Sequence, residues 1–193
     1  MLTLSFMRHA FVASTFIAIV SGFVGVFVVA RNLSFLTHTL SEIGFAGGAF
    51  AVFIGWPVLN GMILFTMLSS ILVGQMSIKE SRREAVTSAV SALFIGLGIL
   101  FLSLSSKNAS SATNILFGSV VGINLGEVQQ LIWLSIVVLM VIFITYRQLK
   151  FTSFDAIGAR VSGLNAALYS VIFLIVLALS VSVAAQIVGS LLI

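Results

Sequence analysis

Cysteine is absent from this 193-residue sequence, and charged residues make up only 7% of it. Without cysteine the chain forms neither a disulfide framework nor a thiolate metal site. The shortage of charge accompanies 60% hydrophobic residues and a mean hydropathy of +1.26, which excludes an ordinary water-soluble domain. The single proline, Pro57, follows Trp56 and predicts a turn at a membrane surface, because proline cannot continue a helical ladder and tryptophan favours the interface.

Several catalytic and binding motifs are also missing. No Gly-Lys dipeptide occurs, so there is no Walker A loop to hold ATP phosphates. The sequence contains no His-Glu-x-x-His pair and no Gly-x-Ser-x-Gly elbow, which leaves a metalloprotease or serine hydrolase without support. The net charge of +4 comes from nine scattered Lys and Arg residues, which form no basic stripe for nucleic acid. Any coupling to ATP hydrolysis therefore requires another chain.

Long apolar runs dominate what is present. A membrane-spanning helix needs roughly 20 apolar residues, because the hydrocarbon core is about 30 Å thick. We predict an all-α, polytopic transmembrane helical bundle that forms a single domain over residues 1–193. It has about six spans plus a short re-entrant or interfacial helix at 115–123, which is too short to cross unless it merges with the next span. The predicted spans are 10–30, 43–55 or from near Phe35, 59–76, 86–104, 128–146 and 164–193.

Basic residues predict the orientation of these spans. The densest charge cluster, at 79–84, indicates a solvated loop, and a second basic loop follows Tyr146. Positive charge concentrates on the cytoplasmic side, so loops 77–85 and 147–160 are predicted to be cytoplasmic and the amino terminus external. The basic residues assigned to the inner side are Arg31, Lys79, Arg82, Arg83, Arg147, Lys150 and Arg160, and those left outside are Arg8 and Lys107.

His38 and Glu42 are candidate metal ligands. They are four residues apart and share one face if the segment is helical, at the edge of or within membrane depth. An imidazole nitrogen and a carboxylate suit Zn²⁺, Mn²⁺ or Fe²⁺. The alternative is a hydrated interfacial pair, or one that caps a helix.

Small residues recur at four-residue spacing, which allows helix backbones to approach closely. The pairs are Gly44 with Gly48 and Gly118 with Gly122, and packing alone is the simpler interpretation, especially for the second pair. Between the last two spans, Asp155, Ala159 and Gly163 are spaced to align along one helical face. Such a segment is either a solvated connection or a short helix that docks on a soluble partner.

The sequence resembles the membrane permeases of ABC importers for manganese, zinc and iron, along essentially its whole length. In that family the second-helix motif often reads Asp-Ala-Leu-Ser-His, whereas residues 38–42 here read His-Thr-Leu-Ser-Glu, so ligand-capable side chains remain but their identities change. Members usually continue beyond a "V-G-x-L-L" segment into further helices, whereas this sequence stops shortly after it. The matching segments are 6–10, 22–25, 31–35, 39–48, 116–119 ("L-F-G-S"), 146–149, 154–163 ("D-x-x-x-A-x-x-x-G") and 188–192.

The resemblance implies a permease subunit in the bacterial cytoplasmic (inner) membrane that moves a divalent metal ion as substrate and binds no permanent cofactor. It implies a homodimer that works with a cytoplasmic ATPase, which hydrolyses the ATP, and with an extracytoplasmic metal-binding protein. His38 and Glu42 then offer transient coordination, and Asp155, Ala159 and Gly163 contact the ATPase.

Two other interpretations stay open at this point. A truncated or non-transporting membrane scaffold is favoured by the early end of the sequence. An intramembrane metalloenzyme built on His38 and Glu42 is disfavoured, because no third ligand, nucleophile or general base is evident.

Overall fold

The computed structural model describes residues 5–76, 80–105, 115–118 and 125–190, and within these ranges every regular element is helical. The side chains at 5–6, 74–76, 80–84, 156 and 160 are left out of the description. A short helical stretch also covers residues 115–117. The other helices are α1 (Ser5–Ala30), α2 (Ser34–Ile54), α3 (Val58–Met76), α4 (Glu80–Leu104), α5 (Leu125–Phe154), α6 (Ala156–Val161) and α7 (Ala166–Val188).

Four of these helices contain segments long and apolar enough to cross a membrane. The predicted all-α bundle is therefore confirmed, whereas length and composition support four of the about six predicted spans. A fifth apolar helix, Val58–Val73, is shorter, and α2 carries His38 and Glu42 near its start. The four segments are Met7–Ala30, Ala85–Leu104, Leu125–Phe154 and Ala166–Val188.

Two predicted loop boundaries are wrong, because helices continue beyond their apolar runs. Helix α4 begins at Glu80, so the charged residues 80–84 are helical, while Lys79 lies outside the described residues. Helix α5 continues to Phe154, which places Arg147 and Lys150 on a helix rather than in a loop. Glu, Arg, Lys and Gln all have high helix propensity, so a membrane helix extends into water without a break when such residues follow it. The turn predicted at Trp56 and Pro57 is confirmed, since α2 ends at Ile54 and α3 begins at Val58.

Helix α2 lies at the centre of one half of the bundle, packed against α3, α4 and α7. Its contact with α3 is a backbone-to-backbone crossing at Gly47 and Gly61. A Cβ on Gly47 would overlap the Gly61 carbonyl oxygen and lie 2.8 Å from its carbon, and one on Gly61 would lie 2.7 Å from Ala51 Cβ. Only glycine permits this approach. As a result, residues 43–49 of α2 are all buried.

The other half of the bundle consists of α1, α5 and α7. Their shared core includes aromatic contacts near the end of α1, where the Phe27 ring lies edge-on to Tyr146 and Phe173 at centroid distances of 5.9 and 6.0 Å. Edge-to-face pairs of this kind are favoured over stacked sandwiches. Helix α7 contacts both halves, and Thr66 of α3 and Ser182 of α7 share a hydrogen bond of 2.7 Å in the interior.

Arg31 links the ends of three helices. It follows α1 directly, and its guanidinium donates from Nε to Ser153 Oγ and from Nη2 to Thr152 Oγ1, both at 2.7 Å, near the end of α5. The same group lies 4.9 Å from the centroid of the Phe173 ring on α7. Burial lowers the pKa of Arg31, but an arginine remains protonated at neutral pH. The two hydroxyls and the ring are therefore the partners of the Arg31 cation. No carboxylate partner of Arg31 is seen among the described residues.

Replacing Gly47 with alanine tests the crossing. We expect Gly47→Ala to lower the free energy of unfolding by about 1–3 kcal/mol, because the added methyl group forces α2 and α3 apart. The matched control is Gly96→Ala on α4, whose new Cβ meets no atom within 4 Å and which gains helix propensity. Thermal unfolding of the purified protein in detergent compares them, and equal melting temperatures would contradict the assigned role of the crossing.

Candidate metal site

His38 and Glu42 lie in the first three turns of α2, which begins at Ser34. The helical spacing places them on one face, with His38 Nε2 3.5 Å from Glu42 Oε1. The side chains are 55% and 32% exposed, while the residues between them, from Thr39 to Ser41, are buried. The pair is thus an accessible part of α2 next to its buried segments at 39–41 and 43–49.

Ser91 of α4 contacts this pair directly. Its hydroxyl donates a hydrogen bond to Glu42 Oε2, and Ser91 itself is only 5% exposed. It belongs to the narrow face on which α4 packs against α2, together with Thr87 and Gly98. Sequence reasoning missed Ser91, although small residues at positions 87, 91 and 98 recur at helical spacing within an otherwise apolar helix, which is the available signal.

The pair supplies one imidazole nitrogen and one carboxylate oxygen. Among the described residues, no group of three or more His, Asp or Glu side chains is placed to hold a metal ion. Two ligands from one chain hold a divalent ion only weakly, unless water or a second copy completes the coordination. Weak, incomplete coordination suits an ion that must be released.

The ends of two helical segments meet beside α2. The stretch at 115–117 ends at Gly118 and α7 ends at Gly189, with φ angles of 75° and 96°. A Cβ on Gly118 would overlap the Ile187 carbonyl oxygen, and one on Gly189 would lie 2.7 Å from Gly118 N, so the two backbones are in direct contact. Ser190 joins them to α2, because its N–H donates to Ile115 O at 3.3 Å and its carbonyl accepts from Ser41 Oγ at 2.7 Å.

The glycines singled out by spacing have different surroundings. Gly44 and Gly48 both face α3: a Cβ on Gly44 would lie 3.6 Å from Thr66, and one on Gly48 would lie 3.2 Å from Met62 and 3.1 Å from Ile115. The tightest approach, at Gly47, was not singled out. Gly118 contacts the end of α7, as described, and Gly122 lies outside the described residues.

Asp155, Ala159 and Gly163 occupy the start, the packed side and the end of α6. Asp155 Oδ1 accepts a hydrogen bond of 2.8 Å from Gly158 N, which caps the helix. Ala159 is fully buried, and Gly163, with φ of 76°, follows the end of the helix. The exposed residues are Ile157 at 80% and Val161 at 85%, one turn apart. Sequence reasoning missed both, since an apolar pair is unremarkable in so hydrophobic a chain.

Comparison with known proteins identifies the family. The model of the ABC 3 transport family matches residues 3–193. The chain belongs to this family. It is 31% identical over 192 residues to the manganese import system permease protein ScaB of Streptococcus gordonii, covering 97% of this chain and 68% of that protein. It is 32% identical to an uncharacterized membrane protein from the ycf23-apcF intergenic region of Cyanophora paradoxa, covering 98% and 64%.

Solved structures agree with the fold of this ABC 3 family member. The structure of PsaBC from Streptococcus pneumoniae in complex with Fab matches with a TM-score of 0.84 and 26% identity, over 98% of this chain and 69% of that one. An inward-facing conformation of a metal-chelate type ABC transporter matches at 0.75 with 18% identity, which shows the fold alone. The chain spans about two thirds of the length of these relatives.

The backbone contact between Gly118 and Gly189 leads to a testable prediction for this family member. Gly189→Ala and Gly163→Ala both place a side chain at positive φ, which costs about 1–2 kcal/mol. Gly189→Ala is expected to lower the melting temperature more, because its Cβ also overlaps the backbone at 116–118, whereas that of Gly163 meets nothing within 4 Å. Thermal unfolding in detergent measures both, and an equal loss would mean that the backbone contact does not constrain the fold.

Proposed function

We propose that this chain is the permease subunit of an ABC importer that carries a divalent metal ion, with manganese as the first candidate. The observation that carries the proposal is the His38–Glu42 pair beside the buried middle of α2, within a chain that matches the ABC 3 transport family from residue 3 to residue 193. Manganese is preferred because ScaB and the MntC protein of Listeria monocytogenes, 31% and 26% identical to this chain, are named for manganese import or transport. Zinc and iron share the same ligand chemistry.

Six crossings fit this function. Helices α1, α2, α3, α4, α5 and α7 are the crossings, and the middle of α2, at 43–49, is screened from lipid by its neighbours. The basic residues Arg31, Arg147 and Lys150 then lie on the cytoplasmic side of a bacterial inner membrane, as do the segments 77–85 and 147–160, which are partly helical. The hydrogen bonds between Arg31 and Ser153 and Thr152 support this arrangement, because they require the start of α2 and the end of α5 to be on the same side.

Coordination at the pair is completed by a second copy of the chain. One protomer offers one nitrogen and one oxygen, so a homodimer offers two of each, which is a common set for Zn²⁺ or, with added water, Mn²⁺. The exposed positions of His38 and of half-buried Glu42 leave the pair accessible to such a partner. An extracytoplasmic metal-binding protein delivers the ion, and a separate ATPase hydrolyses ATP.

The ATPase contact is assigned to α6. Ile157 and Val161 project from this short helix with almost all of their surface exposed, on the side where the basic loops lie. Exposed apolar side chains of this kind are typical of interaction sites. Asp155, Ala159 and Gly163 support the contact by starting, packing and ending the helix, so their role is to present Ile157 and Val161.

Transport measurements test the metal site. We expect His38→Ala and Glu42→Gln to reduce Mn²⁺ uptake at least tenfold in vesicles that contain the chain and its ATPase, because each removes one of two ligands. His9→Ala removes the only other histidine, outside the pair, and is the matched control. Uptake by both site variants at the wild-type rate would show that the pair does not bind the transported ion.

Substitutions on α6 test the coupling surface separately. Ile157→Asp with Val161→Asp is expected to abolish the binding of the ATPase to the permease and the ATP-dependent part of uptake, since two charges oppose an apolar contact. Leu168→Asp, at a position of α7 that is 50% exposed, serves as a control for added charge elsewhere. Co-purification of the ATPase with each variant provides the measurement, and undiminished recovery with the α6 variant would refute the assignment.

A further inference from the structure

The hydroxyl of Ser91 differs from most others in the bundle. Serine and threonine within membrane helices usually donate back to a carbonyl three or four residues earlier, as Thr15, Thr145 and Ser180 do here. Ser91 instead donates across a helix interface to Glu42 Oε2. It does so from a position that is 5% exposed, so the donor is buried while the acceptor carboxylate is 32% exposed.

This bond gives the two oxygens of Glu42 different surroundings. Oε2 accepts from Ser91, whereas Oε1 faces His38 Nε2 at 3.5 Å. A hydrogen bond from a buried hydroxyl restricts rotation of the carboxylate about its terminal bond. A metal ion at the pair therefore meets one available carboxylate oxygen rather than two.

The distance between the two ligand atoms also bears on the kind of ion. Two ligands that are each about 2.1 Å from a metal and 3.5 Å from each other subtend an angle of about 113° at the metal, close to tetrahedral. Octahedral coordination, which larger oxygen-preferring ions adopt, requires about 90°, so the two ligand atoms would approach to about 3 Å, a shift that the 55% exposed His38 side chain has room to make.

We propose that Ser91 is a positioning residue that sets the metal preference of the His38–Glu42 pair, by holding Glu42 Oε2 and leaving Oε1 as a single carboxylate ligand. The inference rests on the proposed function, because it assumes that the pair binds the ion. With Oε2 held, the pair favours Zn²⁺ over Mn²⁺ more strongly than a free carboxylate would. With Oε2 released, Glu42 becomes free to bind with both oxygens, which favours a larger ion of higher coordination number.

The test measures the affinities of the purified full chain for ZnCl₂ and MnCl₂ by calorimetric titration in detergent. Ser91→Ala is expected to weaken Zn²⁺ binding about tenfold, the usual effect of removing a group that orients a ligand, and to lower the ratio of Zn²⁺ to Mn²⁺ affinity by a similar factor. Ser91→Thr keeps the hydroxyl and is expected to restore the wild-type ratio. Ser88→Ala, at an exposed position one turn earlier on α4, is the matched control.

Further variants separate the possible outcomes. If His38→Ala and Glu42→Gln weaken binding but Ser91→Ala leaves the Zn²⁺ to Mn²⁺ ratio unchanged, the role of Ser91 is overturned and the proposed metal site stands. If His38→Ala and Glu42→Gln bind both metals as the wild type does, the site and the inference fail together. Should Ser91→Ala not fold, Glu42→Asp provides the second test, because its shorter side chain withdraws the carboxylate from Ser91 and is expected to lower the ratio as well.

Discussion

The backbone crossing at Gly47 and Gly61 is the constraint on which the rest of this half of the bundle depends. Because neither residue has a Cβ, α3 lies close enough to α2 to cover it from one side, while α4 and α7 cover two others. In lipid a polar side chain is tolerated only where protein or a water-filled cavity surrounds it. The burial of α2 at 39–41 therefore surrounds the hydroxyls of Thr39 and Ser41 with protein. The same crossing determines which face of α2 remains accessible, and His38 and Glu42 are on that face.

The fold was predictable to the extent that it depends on local sequence. Apolar runs and the Trp56–Pro57 turn placed α1, α3 and α7 to within about five residues and the end of α2 to within one, since hydropathy and the missing proline N–H act locally. The start of α2 at Ser34 agrees only with the alternative start near Phe35. Helix ends next to charged residues were not predictable from hydropathy. Residues 80–84 and Arg147 lie beyond the predicted apolar spans but are helical, and only helix propensity, which is a weak signal, indicates this.

The candidate site was only half predictable, for a related reason. The four-residue spacing of His38 and Glu42 is visible within one helix, and it gave the correct common face. Ser91 is 49 residues further along the chain, and its contact with Glu42 depends on how α4 packs against α2. The same holds for Gly47 with Gly61 and for Gly118 with Gly189, where each glycine is ordinary in sequence and its partner is defined only by tertiary structure. Asp155 shows the opposite error. Its spacing was interpreted as part of a docking face, whereas its carboxylate accepts a local hydrogen bond from Gly158 N and caps the helix.

Arg31 connects the turn before α2, the helix of His38 and Glu42, with the end of α5, which α6 follows. Helix α6 follows the end of α5 directly through Asp155, and near that end Thr152 and Ser153 accept hydrogen bonds from the Arg31 guanidinium. Arg31 lies in the turn from which α2 starts, seven residues before His38. A guanidinium held by two hydroxyls and an aromatic ring is a rigid, directional joint, in contrast to the single contact of a lysine ammonium. Helix α6, the end of α5 and the turn before α2 are therefore joined by one continuous series of contacts.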